Sequence, residues 1–130
     1  EYYLSWFFPG VHLPTTDTIG NHLIAAPDNS IVIGISYPRY TRQTVECIAL
    51  AKKRKFFTAA ITDSPFSPLA KAADMYVVSP CAHIAHIDSL LIPIGLINTL
   101  LIQVAEHLGP KALKRLEELE RSWTDSSVYC

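Results

Sequence analysis

Short apolar runs alternate along the chain with polar turns and helix-like stretches. Ile31, Val32, Ile33 and Ile35 form a β-branched run, with Gly34 allowing close approach. Such a run predicts a strand covered on both faces, as in a parallel sheet. The pattern then breaks at Ser36-Tyr37-Pro38-Arg39-Tyr40-Thr41. Pro38 ends the strand, and Thr41 is placed to cap a helix running to about Arg54, with Val45, Ile48, Ala49 and Ala51 inward.

The other elements follow from the same signals. Tyr2–Phe8 reads as a helix end stopped by Pro9-Gly10, and Val11–Leu13 as a short strand closed by Pro14. Thr15, Thr16 and Asp17 offer caps for a helix to about Ala26, with Ile19, Leu23 and Ala26 at helical spacing. Phe56–Ile61 is a buried strand ending in Thr62-Asp63-Ser64-Pro65. Ser67 caps a short helix opened by Pro68. Met75–Val78 is a strand ended by Ser79-Pro80, and Cys81–Asp88 is a loop. A long helix spans about Ser89 to His107 and stops at Gly109. Pro110 opens a last helix to about Trp123, with a stripe of Leu113, Leu116, Leu119 and Trp123. Strands alternating with helices imply parallel pairing.

Composition sharpens this. The chain has 130 residues, 49% hydrophobic and 18% charged, which is apolar for a soluble monomer and favours burial against another subunit. A net charge of −1 gives no electrostatic case for nucleic-acid binding by this piece. Cys47, Cys81 and Cys130 show no disulfide framework, which suits a reducing cytoplasm. The first residue is Glu1, and YYLSWFFPG lacks the basic flank of a signal peptide. The expectation is a chain cut from something longer. The longest apolar run, Leu90–Ala105, is broken by Pro93, Gly95, Asn98, Thr99 and Gln103. It falls short of a comfortable membrane span and is expected to be a buried core or interface helix.

Ile35-Ser36 with Thr41, then Thr62-Asp63-Ser64-Pro65-Phe66-Ser67-Pro68-Leu69-Ala70, then Ala73-Asp74, resemble the sugar isomerase (SIS) domain. The nearest subgroup is the RpiR-type transcriptional regulators. The resemblance covers nearly the whole chain. It implies a flavodoxin-like, three-layer parallel sheet, with about four strands present here, and a site for phosphorylated sugars or sugar acids. It also implies a homo-oligomer, a dimer or tetramer, with helices 89–123 at the interface, and contact with DNA only through a domain absent from this chain. On that resemblance the chain is a single, N-terminally incomplete SIS domain without its first strand and phosphate loop. The family's S-x-S-G-x-T loop stands here as Ser36-Tyr37-Pro38-Arg39-Tyr40-Thr41. Pro38 replaces a serine, and Arg39 replaces a glycine that permits close backbone approach.

The candidate ligand-binding residues are Ser36, Arg39, Tyr40, Thr41, Asp63, Ser64 and His86. Most lie at the carboxyl ends of strands, where open α/β sheets bind ligands beside a helix N-terminus. Arg39 supplies a fork suited to phosphate or carboxylate. Tyr37 and Tyr40 suit stacking on a sugar or packing at an interface. His83, His86 and Asp88 sit near the expected pocket mouth. Cys81, His83 and His86 lack a second ligand pair, so no metal site is expected, nor any cofactor. A phosphosugar isomerase is the alternative reading. It needs a general base, and the candidates are Glu46 and His86. The family's isomerising members often carry a Glu just after the Thr, where Gln43 stands here. An oligomerisation-only module is the other alternative.

Overall fold

The computed structural model describes residues 2–8, 10–15, 17–84 and 87–125. The chain divides into two compact units, residues 14–95 and residues 1–13 with 96–130.

The larger unit is built on a parallel sheet of three strands, β1 (Ile31–Ile35), β2 (Phe57–Thr62) and β3 (Met75–Val78), in that order. Helix α2 (Ile19–Ala25) precedes β1; α3 (Arg42–Lys53) and α4 (Pro68–Ala72) connect the strands. The α/β class is the expected one. The strand count is not, because Val11–Leu13 forms no strand. β1 pairs with β2 alone and so forms an edge of the three-stranded sheet. Cys81–Asp88, expected as a loop, instead carries β4 (Ala82–Ile84) and runs into β5 (Ile87–Ser89), which pair antiparallel.

The core lies on one face of the sheet. Ile48, Ala60 and Leu69 form one cluster, joined by Val32 and Val45; Leu23, Ala51 and Phe56 form another, joined by Cys47. Ala49, expected inward, is exposed on α3, and Cys47 takes the inner position. Gly34 is required here: a Cβ at this position would stand 2.8 Å from Ile48 Cγ1 and 3.1 Å from Leu69 Cδ1. The opposite side of β1 departs from expectation. Ile31, Ile33 and Ile35 are 64, 52 and 46% exposed, because α3 and α4 pack on the Val32–Gly34 side of the strand. Asp74 ties β2 to the segment after α4. The Thr58 N–H and hydroxyl donate to its Oδ2 at 3.0 and 2.7 Å, its own N–H donates to Thr58 Oγ1 at 3.0 Å, and Lys52 Nζ lies 2.9 Å from Oδ1.

The second unit contains α1 (Tyr2–Ser5), most of α5 (Leu91–Leu108) and α6 (Pro110–Asp125). Trp6 meets Tyr3 edge-on at 4.9 Å and Trp123 edge-on at 5.4 Å. This packs the aromatic start of the chain on the last helix. On α6, Leu116, Leu119 and Trp123 are half-buried, Leu113 is exposed, and Ala112 is the buried position. Gly109 separates α5 from α6 at φ +54, donating its N–H to Ala105 and Glu106 carbonyls. That is the left-handed helix end glycine allows.

Of the two expectations for α5, buried core helix or interface helix, the first does not hold within this chain. Only Pro93 is buried in it, and by length and composition it is the one helix among the described residues apolar enough to cross a membrane. Its apolar residues run all round rather than along a stripe, so one packing face cannot cover them.

Candidate functional site

The carboxyl ends of the three parallel strands bring Ser36, Thr62-Asp63 and Ser79 into one row. The Ser36 N–H donates to Ile61 O at 3.2 Å, and the Ser79 N–H to Thr62 O at 2.7 Å. These bonds carry the ladder one residue past each strand end, so the first polar side chains are fixed by the sheet itself.

Ser36 is buried, and its Oγ accepts the Thr41 N–H at 3.4 Å. Thr41 holds the cap position of α3 in extended conformation, but its hydroxyl makes no capping bond. The expectation that Thr41 caps the helix is therefore corrected: the serine five residues earlier serves the turn instead. The first turn of α3 carries no acidic residue, leaving its N-terminal dipole uncompensated by side chains.

Between Ser36 and Thr41, Arg39 sits at φ +72. This is the region glycine favours, at the position where the SIS motif carries glycine. Its guanidinium extends to the hairpin, with Nη2 2.7 Å from Asp88 Oδ2. Tyr40 reaches the next strand end: its hydroxyl lies 2.9 and 3.1 Å from the two oxygens of Asp63, which also accepts from Thr62 Oγ1 at 3.2 Å. Desolvation, then the hydrogen bond to Asp63, push the Tyr40 phenol above its ordinary value. It stays protonated and donates.

Of the candidate residues, the structure joins Ser36 to Thr41 and Tyr40 to Asp63, and places Arg39 on Asp88. Ser64 serves its own turn, accepting the Phe66 N–H at 3.2 Å, and Ser67 caps α4 as expected, accepting the Ala70 N–H at 3.0 Å. His86 lies outside the described residues.

Ser79 was read in the sequence only as the end of a strand, and Tyr37 only for stacking or interface packing. Among the described residues, the Ser79 Oγ and the Tyr37 phenol oxygen are buried without a hydrogen-bond partner, and each residue lies one or two positions past a strand end. The available signal for Ser79 was positional, a serine before proline at the same strand end as Ser36 and Asp63. The role of Asp88 was visible only in three dimensions. Cys81 borders the same region. Burial, then the charges of Asp88 and Asp63, push its thiol up, so it is a poor nucleophile at neutral pH. Glu46, a candidate base, is exposed and lies 3.9 Å from Arg42 on its own helix. Among the described residues, no three His, Cys, Asp or Glu side chains converge as a metal ion would need.

The arrangement offers a helix N-terminus, a guanidinium and several hydroxyls for an anionic, hydroxyl-rich molecule. Comparison with known proteins gives the family. The SIS domain family model matches residues 4–103. The crystal structure of an RpiR transcription factor from Sphaerobacter thermophilus (sugar isomerase domain) is 35% identical, with a TM-score of 0.75 over 80% of this chain and 58% of that one. The Vibrio vulnificus NanR protein, complexed with ManNAc-6P, is 14% identical, with a TM-score of 0.76 over 95% of this chain and 48% of that one. The chain thus spans about half the length of these solved structures. No curated protein matches it. With three-quarters of its length covered by the family pattern, the chain belongs to the SIS domain family.

Proposed function

We propose that this chain is the ligand-sensing part of an RpiR-type transcriptional regulator, binding a phosphorylated sugar or sugar acid and performing no chemistry on it. The observation that carries the reading is the Tyr40–Asp63 hydrogen bond, which joins the loop after β1 to the end of β2 beside the N-terminus of α3. It draws a fork-bearing loop and a row of hydroxyls to one edge of the sheet, where α/β folds bind ligands. The ligand's anion would lie against Ser36, Arg39 and Thr41, and its hydroxyls against Asp63 and Ser64. The likeness to a regulator at 35% identity supports the class, and the ManNAc-6P on NanR is a phosphosugar on the same fold. Glu46, paired with Arg42, supplies no evident base for isomerisation.

In this reading the protein works in the cytoplasm as a homo-oligomer. The exposed apolar helix α5 and the helix after it form the subunit contact. Ligand shifts subunit packing and so the spacing of DNA-binding domains carried elsewhere in the parent protein. A thermal-shift screen of sugar phosphates and sugar acids tests it. A true ligand at about 100 times its dissociation constant adds about 2.7 kcal/mol of stability, and Arg39→Ala abolishes the shift. No response to any of these anions leaves a module that only oligomerises.

A further inference from the structure

Arg39 and Asp88 are unequal partners. Arg39 is 83% exposed and Asp88 23%. Asp88 is held from both sides: Oδ2 faces Arg39 Nη2 at 2.7 Å, and Oδ1 lies 2.9 Å from His83 Nδ1. His83 is its paired residue across the β4–β5 ladder, and a proton on Nδ1 makes that contact a hydrogen bond. The hydrogen bond from His83 and the charge of Arg39 hold the Asp88 carboxyl below its ordinary range, so it is anionic at neutral pH. The hairpin thus lays a fixed carboxylate on the one guanidinium of the Ser36–Thr41 loop.

We propose that Asp88 is an internal competitor of the ligand: its carboxylate takes the Arg39 fork that the ligand's phosphate or carboxylate also needs. This rests on the reading of the loop as an anion site. Binding of an anion at Arg39 then parts the loop from the hairpin. Asp88 stands three residues before the start of α5, so the released hairpin is the segment leading directly into the apolar helix. Ligand affinity and the freedom of that junction are set by the same ion pair.

The test is calorimetric titration of the whole protein with inorganic phosphate, in the unaltered chain, Asp88→Asn, Asp88→Ser and the double variant Asp88→Asn/Arg39→Ala. Asp88→Asn keeps an acceptor for His83, and Asp88→Ser guards against a misleading amide contact. Both single variants bind phosphate about fivefold tighter than the unaltered chain, as removing a competitor worth a strong exposed ion pair predicts, and the double variant loses the gain. Equal or weaker binding in both single variants overturns the proposal. So does a gain that survives Arg39→Ala, or no phosphate binding by Asp88→Asn. The reading of the site as a phosphosugar sensor is decided separately, by sugar phosphates on the unaltered protein, so the two fail in different measurements.

Discussion

The Tyr40 hydroxyl donates to the Asp63 carboxylate, with the two oxygens 2.9 and 3.1 Å away, and so links the loop after β1 to the end of β2 through residues 23 apart in sequence. The phenol is raised from 10.0, chiefly by desolvation and then by Asp63. For a group whose folded value is raised, the stabilising contribution is complete below the unfolded value and is lost as pH rises through the folded one. Tyr40→Phe removes one hydrogen bond and lowers unfolding stability by about 1 kcal/mol at neutral pH. It also removes a component of the stability loss above pH 10. Urea unfolding from pH 7 to 11 reads both. Equal slopes in the two proteins above pH 10 would show that the Tyr40–Asp63 bond does not form in solution.

Gly34 and Ile48 form a second dependent pair. An alanine Cβ at position 34 meets Ile48 Cγ1 at 2.8 Å and Leu69 Cδ1 at 3.1 Å, and both side chains are fully buried. Gly34→Ala is expected to cost about 1–3 kcal/mol by overpacking. Ile48→Ala opens a cavity and costs about 2–5 kcal/mol. The double variant should be more stable than the sum predicts, by about 1 kcal/mol, because the cavity receives the new methyl. Additive losses in a denaturant double-mutant cycle would locate the strain elsewhere.

Arg39 separates charge from backbone. At φ +72 a residue with a Cβ is strained by about 1–2 kcal/mol relative to glycine. Arg39→Ala and Arg39→Gly both lose the guanidinium and the ion pair to Asp88. Arg39→Gly should therefore be about 1 kcal/mol more stable than Arg39→Ala in thermal unfolding, while both lose anion binding alike. If glycine alone restored anion binding, close backbone approach would matter more than the fork.

Much of this was legible in one dimension. The spacing around Ile31–Ile35, the caps at Ser67 and Gly109, and the T-D-S-P run each carry a local signal, so the parallel α/β order emerged from the residues. Partner choice was not legible. Val11–Leu13 has strand-like residues, but a strand exists only where it is paired, and these three residues form none. Ile31, Ile33 and Ile35 look like a strand buried on both faces, because the residues report hydrophobicity and not whether a helix lies over them. In the site, the serine and aspartate at strand ends were readable from position. The bond from the Thr41 N–H to Ser36 Oγ, and the reach of Arg39 to Asp88 across 49 residues, depend on loop geometry that no spacing rule encodes.

Asp74 gives the acid-side counterpart. Ala73-Asp74 reads in sequence only as part of a family motif. In the structure its carboxylate accepts from the Thr58 hydroxyl and N–H and pairs with Lys52. Hydrogen bonds from Thr58, first of all, and from Lys52 hold it down from 3.8 to about 2. A depressed folded value means the unfolded chain takes up the proton first as pH falls. The contribution is therefore complete above about pH 3.8 and is lost between there and about pH 2. Asp74→Asn keeps an acceptor for Thr58 but has no charge to lose. Its stability at neutral pH should be lower than that of the unaltered protein, and the gap should close as pH falls through this window. Denaturant midpoints at pH 7, 4, 3 and 2 measure the gap. A gap that stays constant down to pH 2 would mean that Asp74 acts through shape and hydrogen bonding alone, and that its charge against Lys52 adds nothing.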